Sequence, residues 1–88
     1  MAAGRAADGL AHLDRALAAI DEPGIGVYLP EIYRLRGECL LALDRDNKVE
    51  ARQTFATARS IAQRQRAVIF ERRAEASLSR VTNIGVSG

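Results

Sequence analysis

The sequence predicts an all-α fold, four helices packed as antiparallel pairs, and three observations carry that reading. Apolar residues make up 48% of the 88 residues but aromatics only 5%. The apolar fraction is therefore mostly Ala and Leu, which with Glu and Arg are strong helix formers. Apolar side chains recur at steps of three and four, the period of one helix face, and not at every second residue as in a strand. Finally, the chain repeats its own pattern at a shift of 37 residues, a span that suits a helix-pair repeat.

The first helix is expected over residues 3–20. Leu10, Leu13, Leu17 and Ile20 form its stripe, and Arg5, Asp8, His12 and Arg15 fall away from it. Asp21-Glu22-Pro23-Gly24 ends it, since Pro cannot continue the helical hydrogen bonding and Gly accepts the reversed backbone sign. The second helix, 30–43, opens on Pro30, tolerated in a first turn, and Glu31, which suits the helix dipole. It has two adjoining stripes: Ile32, Leu35, Cys39 and Ala42, then Tyr33, Gly37, Leu40 and Leu41. A helix buried over so wide an arc touches more than one neighbour. Gly37 costs about 1 kcal/mol relative to Ala inside a helix, which points to close approach of another helix.

Asp44-Arg45-Asp46-Asn47 reads as a turn, and Asn47 with Glu50 as a capping box. The third helix, 47–65, buries Ala51, Phe55, Ala58 and Ala62, small residues that permit a close helix approach. Arg52, Arg59, Gln63, Arg64 and Arg66 take its outer arc. Phe70, Ala74, Leu78 and Val81 mark the fourth helix, 68–81. The tail, 82–88, is expected to fray. The whole chain is one domain of a size that buries a modest core.

The 37-residue shift lays the second helix on the fourth. Tyr33 meets Phe70, Arg36 meets Arg73, Gly37 meets Ala74, Glu38 meets Glu75 and Leu41 meets Leu78. The first and third helices match in kind: Leu13 with Phe55, Ala16 with Ala58, Ile20 with Ala62. Two helix types therefore alternate, which is the sequence signature of an α-solenoid.

Charge is unevenly placed. Residues 1–44 hold four Arg against seven acids, a net of −3, and residues 45–88 nine basic residues against four acids, a net of +5. A basic half fits either a solvated Arg-rich face or a surface for nucleic acid or an acidic partner. With aromatics for base stacking almost absent, the solvated face is preferred. One cysteine, Cys39, allows no internal disulfide, which suits a reducing compartment. The N-terminal MAAGRAADGL lacks the apolar segment of a signal peptide, and the longest apolar run, Cys39–Leu43, is far too short to span a membrane. A cytoplasmic location is expected.

Catalytic chemistry is not expected. His12 is the only histidine, and with one distant cysteine it makes no metal-ligand set. Cys39 lies on a buried stripe with nothing to act as a paired base. Gly24-Ile25-Gly26 follows no strand and lacks the rest of a phosphate-binding loop. Glu31 and Glu38 share a helix face but stand about 10 Å apart, with Arg34 between them, so helix-surface ion pairing accounts for them. No enzyme activity, cofactor or metal is predicted.

Tyr33 and Gly37, followed by the small–large–small series Ala51, Phe55 and Ala58, resemble helices A and B of a tetratricopeptide repeat. RLRGECLLAL, EARQTFATARSIAQRQ and FERRAEASLSR together are similar to the tetratricopeptide-like C-terminal region of large bacterial signalling proteins. Those combine a class III nucleotide cyclase or a DNA-binding domain with an AAA-type ATPase module. The turn after the second helix is longer than that family's, its closing Pro is missing, and Arg66 and Arg72 replace a Gly and an apolar residue, changes expected to weaken the corner between the third and fourth helices. The resemblance implies a right-handed α–α superhelix whose concave groove is lined by helix A residues. These would be Glu31, Arg34, Glu38 and Leu41, joined by Glu71, Glu75 and Leu78. Tyr33, Gly37, Ala51, Phe55, Ala58, Phe70 and Ala74 are its repeat-packing positions.

The expected function is a non-catalytic scaffold for protein–protein or interdomain contacts, a piece of a bacterial signalling or regulatory protein, with a protein or peptide as partner. Apolar ends left by a solenoid cut inside its repeats predict self-association. The competing readings are a nucleic-acid-binding helical module using the Arg-rich second half, which is the weaker of the two partner classes, and a decayed, truncated reading frame.

Overall fold

In the computed structural model the chain is described at residues 3–19, 21–22 and 24–86, and its side chains at 4–19, 21–22 and 24–81. Four α-helices follow one another: α1 (Ala3–Ala18), α2 (Leu29–Leu43), α3 (Lys48–Gln65) and α4 (Val68–Val86). Single 3₁₀ turns, Gly26–Tyr28 and Arg45–Asn47, lead into α2 and α3. No strand occurs among the described residues. The all-helical prediction holds, with helix boundaries close to those expected except at the C-terminal ends of α1 and α4.

Helix α1 stops at Ala18, two residues before the expected end; Ile20 and Pro23 lie outside the described residues. Gly24 adopts φ +88°, the left-handed backbone that makes Gly the natural residue there. Helix α4 runs to Val86, five residues beyond the predicted end at 81, so the expected fray does not begin at Thr82. Thr82-Asn83-Ile84 contains no proline, and Gly85 alone costs only about 1 kcal/mol, too little to stop a helix already propagating. Residues 87 and 88 of the expected tail lie outside the described residues.

The capping box does not form. Asn47 makes no side-chain cap to α3. Its Nδ2 instead donates to the Leu40 carbonyl at 2.9 Å. That carbonyl also accepts from the Asp44 N–H, so two donors satisfy one of the acceptors that a helix C-terminus leaves over. Asp44 takes the capping role one turn earlier, accepting from the Asp46 N–H at 2.9 Å.

The end of α3 is a Schellman motif. The Ala67 N–H donates to the Ala62 carbonyl and the Arg66 N–H to the Gln63 carbonyl. Arg66 occupies the left-handed position at φ 57°, ψ 36°. The chain thus keeps the backbone geometry that a Gly would favour and closes the corner with Arg. Gln65 adds a tie across that corner, its Nε2 donating to the Gly26 carbonyl at 2.8 Å.

Directions follow from which residues meet. Arg36 of α2 reaches Asp14 of α1, and a Cβ at Gly9 would touch Cys39, so α1 and α2 are antiparallel. Glu31 meets Arg73 and Glu38 meets Arg80, so α2 and α4 run parallel, with α3 antiparallel to both. The core lies where α2, α3 and α4 converge: Leu40, Ala51, Phe55 and Val81, with Leu10, Leu41 and Leu78 packed against them. Phe55 is the largest fully buried side chain. A Cβ at Gly37 would stand 2.5 Å from its ring, closer than real atoms pack. The missing side chain at Gly37 is therefore the seat of the Phe55 ring. Leu35, expected on the buried stripe, is exposed instead.

Candidate functional site

Two surfaces compete for the role, the seam between α2 and α4 and the corner between α3 and α4. The seam carries most of the groove residues expected from the sequence. Glu31 accepts two hydrogen bonds from Arg34, at 3.0 Å from Nε and 2.6 Å from Nη2, and a third at 3.2 Å from Arg73 Nη1. The fork of Arg34, aided by its positive charge and that of Arg73, holds the Glu31 carboxyl below the usual carboxylate range despite partial burial. The same contact pushes Arg34 up. One step of seven residues along both helices, Glu38 accepts from Arg80 Nη2 at 2.7 Å. Leu41 and Leu78 are half-buried against the core. Glu71, also half-buried, accepts from Gln63 Nε2 at 3.1 Å, and Glu75 is exposed.

The repeat-packing positions divide. Gly37, Ala51, Phe55, Ala58 and Ala74 are buried, and Tyr33 and Phe70 are half-buried. Arg36 and Arg73, equivalent in the 37-residue repeat, have different partners: Asp14 of α1 for one, Glu31 of α2 for the other. His12 is exposed and accepts at Nδ1 from Arg15. Cys39 is buried, and burial raises its thiol pKa, with Glu38 adding to the rise. A thiol so placed is a poor nucleophile. Among the described residues, no group of three or more His, Cys, Asp or Glu side chains is arranged to hold a metal ion.

The corner was not foreseen. Val27 and Tyr28, from the turn into α2, and Val68 and Ile69, from the first turn of α4, are 54–67% exposed. They adjoin two open depressions that share Ala67. One, of about 550 Å³, is lined by Arg66, Ala67, Val68, Ile69, Phe70 and Arg73, and the other, of about 430 Å³, by Gly26, Val27, Gln65 and Ala67. The Tyr28 and Phe70 rings stand 6.4 Å apart, tilted by 48°. The Arg73 guanidinium lies 5.9 Å from the Phe70 centroid, within cation–π range. The sequence did carry a signal: Ala67-Val68-Ile69-Phe70 is four apolar residues in a row, and one helix face cannot bury all of them. Farther along α4, up to Val81, the exposed side chains are Arg72, Arg73, Glu75, Ala76, Ser79 and Arg80, so among the described side chains of this helix the large apolar ones that are exposed lie in its first turn.

Comparison with known proteins adds no identification: no family model, no curated protein and no solved structure matches this chain.

Proposed function

We propose that the chain is a non-catalytic helical-repeat scaffold, tetratricopeptide-like in its alternation of two helix types, that contacts another protein or a neighbouring domain. The observation that carries this reading is the corner. Four large apolar side chains held out to solvent beside a 550 Å³ depression cost solubility and add nothing to the core, and such patches mark contact surfaces. The parallel course of α2 and α4 with α3 between them supports the repeat arrangement, since successive A helices of an α-solenoid run the same way. The resemblance of α2–α4 to the helical region of bacterial signalling proteins supports a relay role in such a protein.

A photo-crosslinking residue tests the scaffold reading. It is placed at Ile69 in one variant and at Ser60, exposed on α3, in another, in cells producing the chain. The reading expects a discrete protein adduct from position 69 and none from position 60. Identical adducts at both positions, or adducts that vanish on nuclease treatment, would sink it.

A further inference from the structure

The partner's chemistry can be read from the charges around the corner, and this inference rests on the scaffold reading above. In the seam every arginine has a carboxylate: Arg34 and Arg73 share Glu31, and Arg80 has Glu38. Along α3 the pattern reverses. Arg45, Arg52, Arg59 and Arg66 recur every seven residues, and Arg52 and Arg59 share one face of α3 about 10 Å apart. Arg52 and Arg59 lie within α3, Arg45 and Arg66 at its two ends. None of the four has an ion-pair partner among the described residues. The line ends at Arg66, which also lines the larger depression. Arg72 stands exposed just beyond it, likewise without an ion pair.

We propose that the corner and the arginine line form a docking surface for an acidic amphipathic segment of another protein. Its large apolar side chains fill the depression beside Ile69, and its carboxylates meet Arg66 and the line along α3. A two-fold contact with a second copy would set the same patch against itself, with the cations Arg66 and Arg72 on both sides and no carboxylate of the patch to meet them. Nucleic acid would find the cations but few open faces for its bases. The depression is edged by the branched aliphatics Val68 and Ile69, one face of the Phe70 ring is taken by Arg73, and the Tyr28 ring leans on Phe70. Charge complementarity together with an aliphatic floor fits a polypeptide that is acidic on one face and apolar on the other.

The test uses the intact chain and three probes. They are a fluorescent synthetic helix-forming peptide of Glu, Leu and Phe with one apolar face, its twin with Lys in place of Glu, and labelled oligothymidylate. Fluorescence anisotropy is read at low and moderate salt. The acidic peptide should bind, more weakly as salt rises, and the Lys twin should not. Ile69→Asp should weaken binding by about tenfold or more, and Arg66→Gly by roughly threefold. Arg66→Gly also relieves a left-handed non-glycine residue, so its weaker binding cannot be attributed to unfolding when its melt is unchanged or higher.

Failure of the acidic peptide to bind, or equal binding to Ile69→Asp, overturns the proposal. So does oligothymidylate binding as well as the peptide and displacing it, or a dimer that Ile69→Asp abolishes. A protein adduct at position 69 combined with no binding of the acidic peptide overturns the acidic partner and leaves the scaffold reading standing.

Discussion

Along the α2–α4 seam each glutamate of α2 faces an arginine of α4, and the helices beneath it close on an alanine-rich, aromatic-centred core. At the α3–α4 corner, some of the same residue types meet no ion-pair or core partner among the described residues. Arg73 at the seam bonds Glu31, whereas Arg66 seven residues earlier has no ion pair among the described residues. Leu41 and Leu78 at the seam pack against the core, whereas Ile69 is 67% exposed. The difference separates residues that hold helices in register from residues that have no part in holding them. An Arg–Glu rung between parallel helices fixes their relative height, because a slip by one turn breaks it. An exposed isoleucine fixes nothing, and its presence calls for an explanation outside the folded chain.

The comparison breaks most visibly at Gly37. Its Cβ would sit 2.5–3.0 Å from three atoms of the Phe55 ring, and a fully buried ring has nowhere to move. Gly37→Ala gains about 1 kcal/mol of helix propensity but forces an overpacking cost of about 1–3 kcal/mol. The expected net is a loss of up to about 2 kcal/mol, read as a fall in Tm of as much as several degrees. Gly9→Ala is the control. Its Cβ would meet only the Cys39 Sγ, at 3.0 Å, the tip of a short side chain, so with the same gain in helix propensity this variant should melt at or slightly above the parent. Equal melts for the two alanine variants would show that Phe55 does not rely on the gap at Gly37.

Glu31 tests the seam's electrostatics. Glu31→Gln leaves Arg34 and Arg73 without their carboxylate and should cost about 1 kcal/mol at neutral pH. The cost should depend on pH with a definite sign. The Glu31 pKa is lowered in the fold, first by the Arg34 hydrogen bonds, below its ordinary value of 4.5. The stability it contributes is therefore fully present above pH 4.5 and is lost as pH falls through the lower, folded value. Denaturant melts of parent and variant should differ at neutral pH and converge at acid pH. A constant gap would mean that packing, and not the charge, makes Glu31 matter. Glu75→Gln, at an exposed carboxylate of the expected groove, should change neither melt.

Much of this arrangement was legible in the sequence, and what was missed has a common cause. Helix positions follow from steps of three and four, which are local. The role of Gly37 as a packing position follows from its cost in mid-helix. The rungs were hidden because they depend on how α4 slides along α2. The repeat equates residues 37 apart, yet the residues that touch are 42 apart, as in Glu31 with Arg73 and Glu38 with Arg80. Equivalent positions and contacting positions thus differ by five residues, more than one helical turn, and no periodicity within a single helix reports that offset. Asn47 was misread for a related reason, because a capping pattern in sequence does not reveal a competing acceptor such as the Leu40 carbonyl. Val68 and Ile69 were passed over because they precede the stripe at Phe70, Ala74, Leu78 and Val81, and attention to the buried face discards whatever lies off it.

Arg66 sharpens the corner's side of the comparison. A non-glycine residue in the left-handed region costs roughly 1 kcal/mol, and the Schellman motif needs that geometry whichever residue supplies it. Arg66→Gly should therefore raise stability by about 0.5–1 kcal/mol, seen as a small rise in Tm. A lower Tm for the glycine variant would instead assign the Arg66 side chain to the fold.

At the corner the smaller effect on stability belongs to Ile69, and its smallness is informative. At 67% exposure the side chain has little burial to lose, so Ile69→Ser should shift stability by no more than about 0.5 kcal/mol. Its apolar area nonetheless forms part of the rim of the 550 Å³ depression, and removing it should reduce the binding of an environment-sensitive apolar dye to the folded chain. The two measurements have to be taken together. An unchanged melt with diminished dye binding describes a side chain that contributes to the surface and not to the core, as the structure has it. A melt lowered by more than about 1 kcal/mol would mean that Ile69 is buried in solution. In that case the corner is closed, and the contrast between a self-satisfied seam and an open corner disappears.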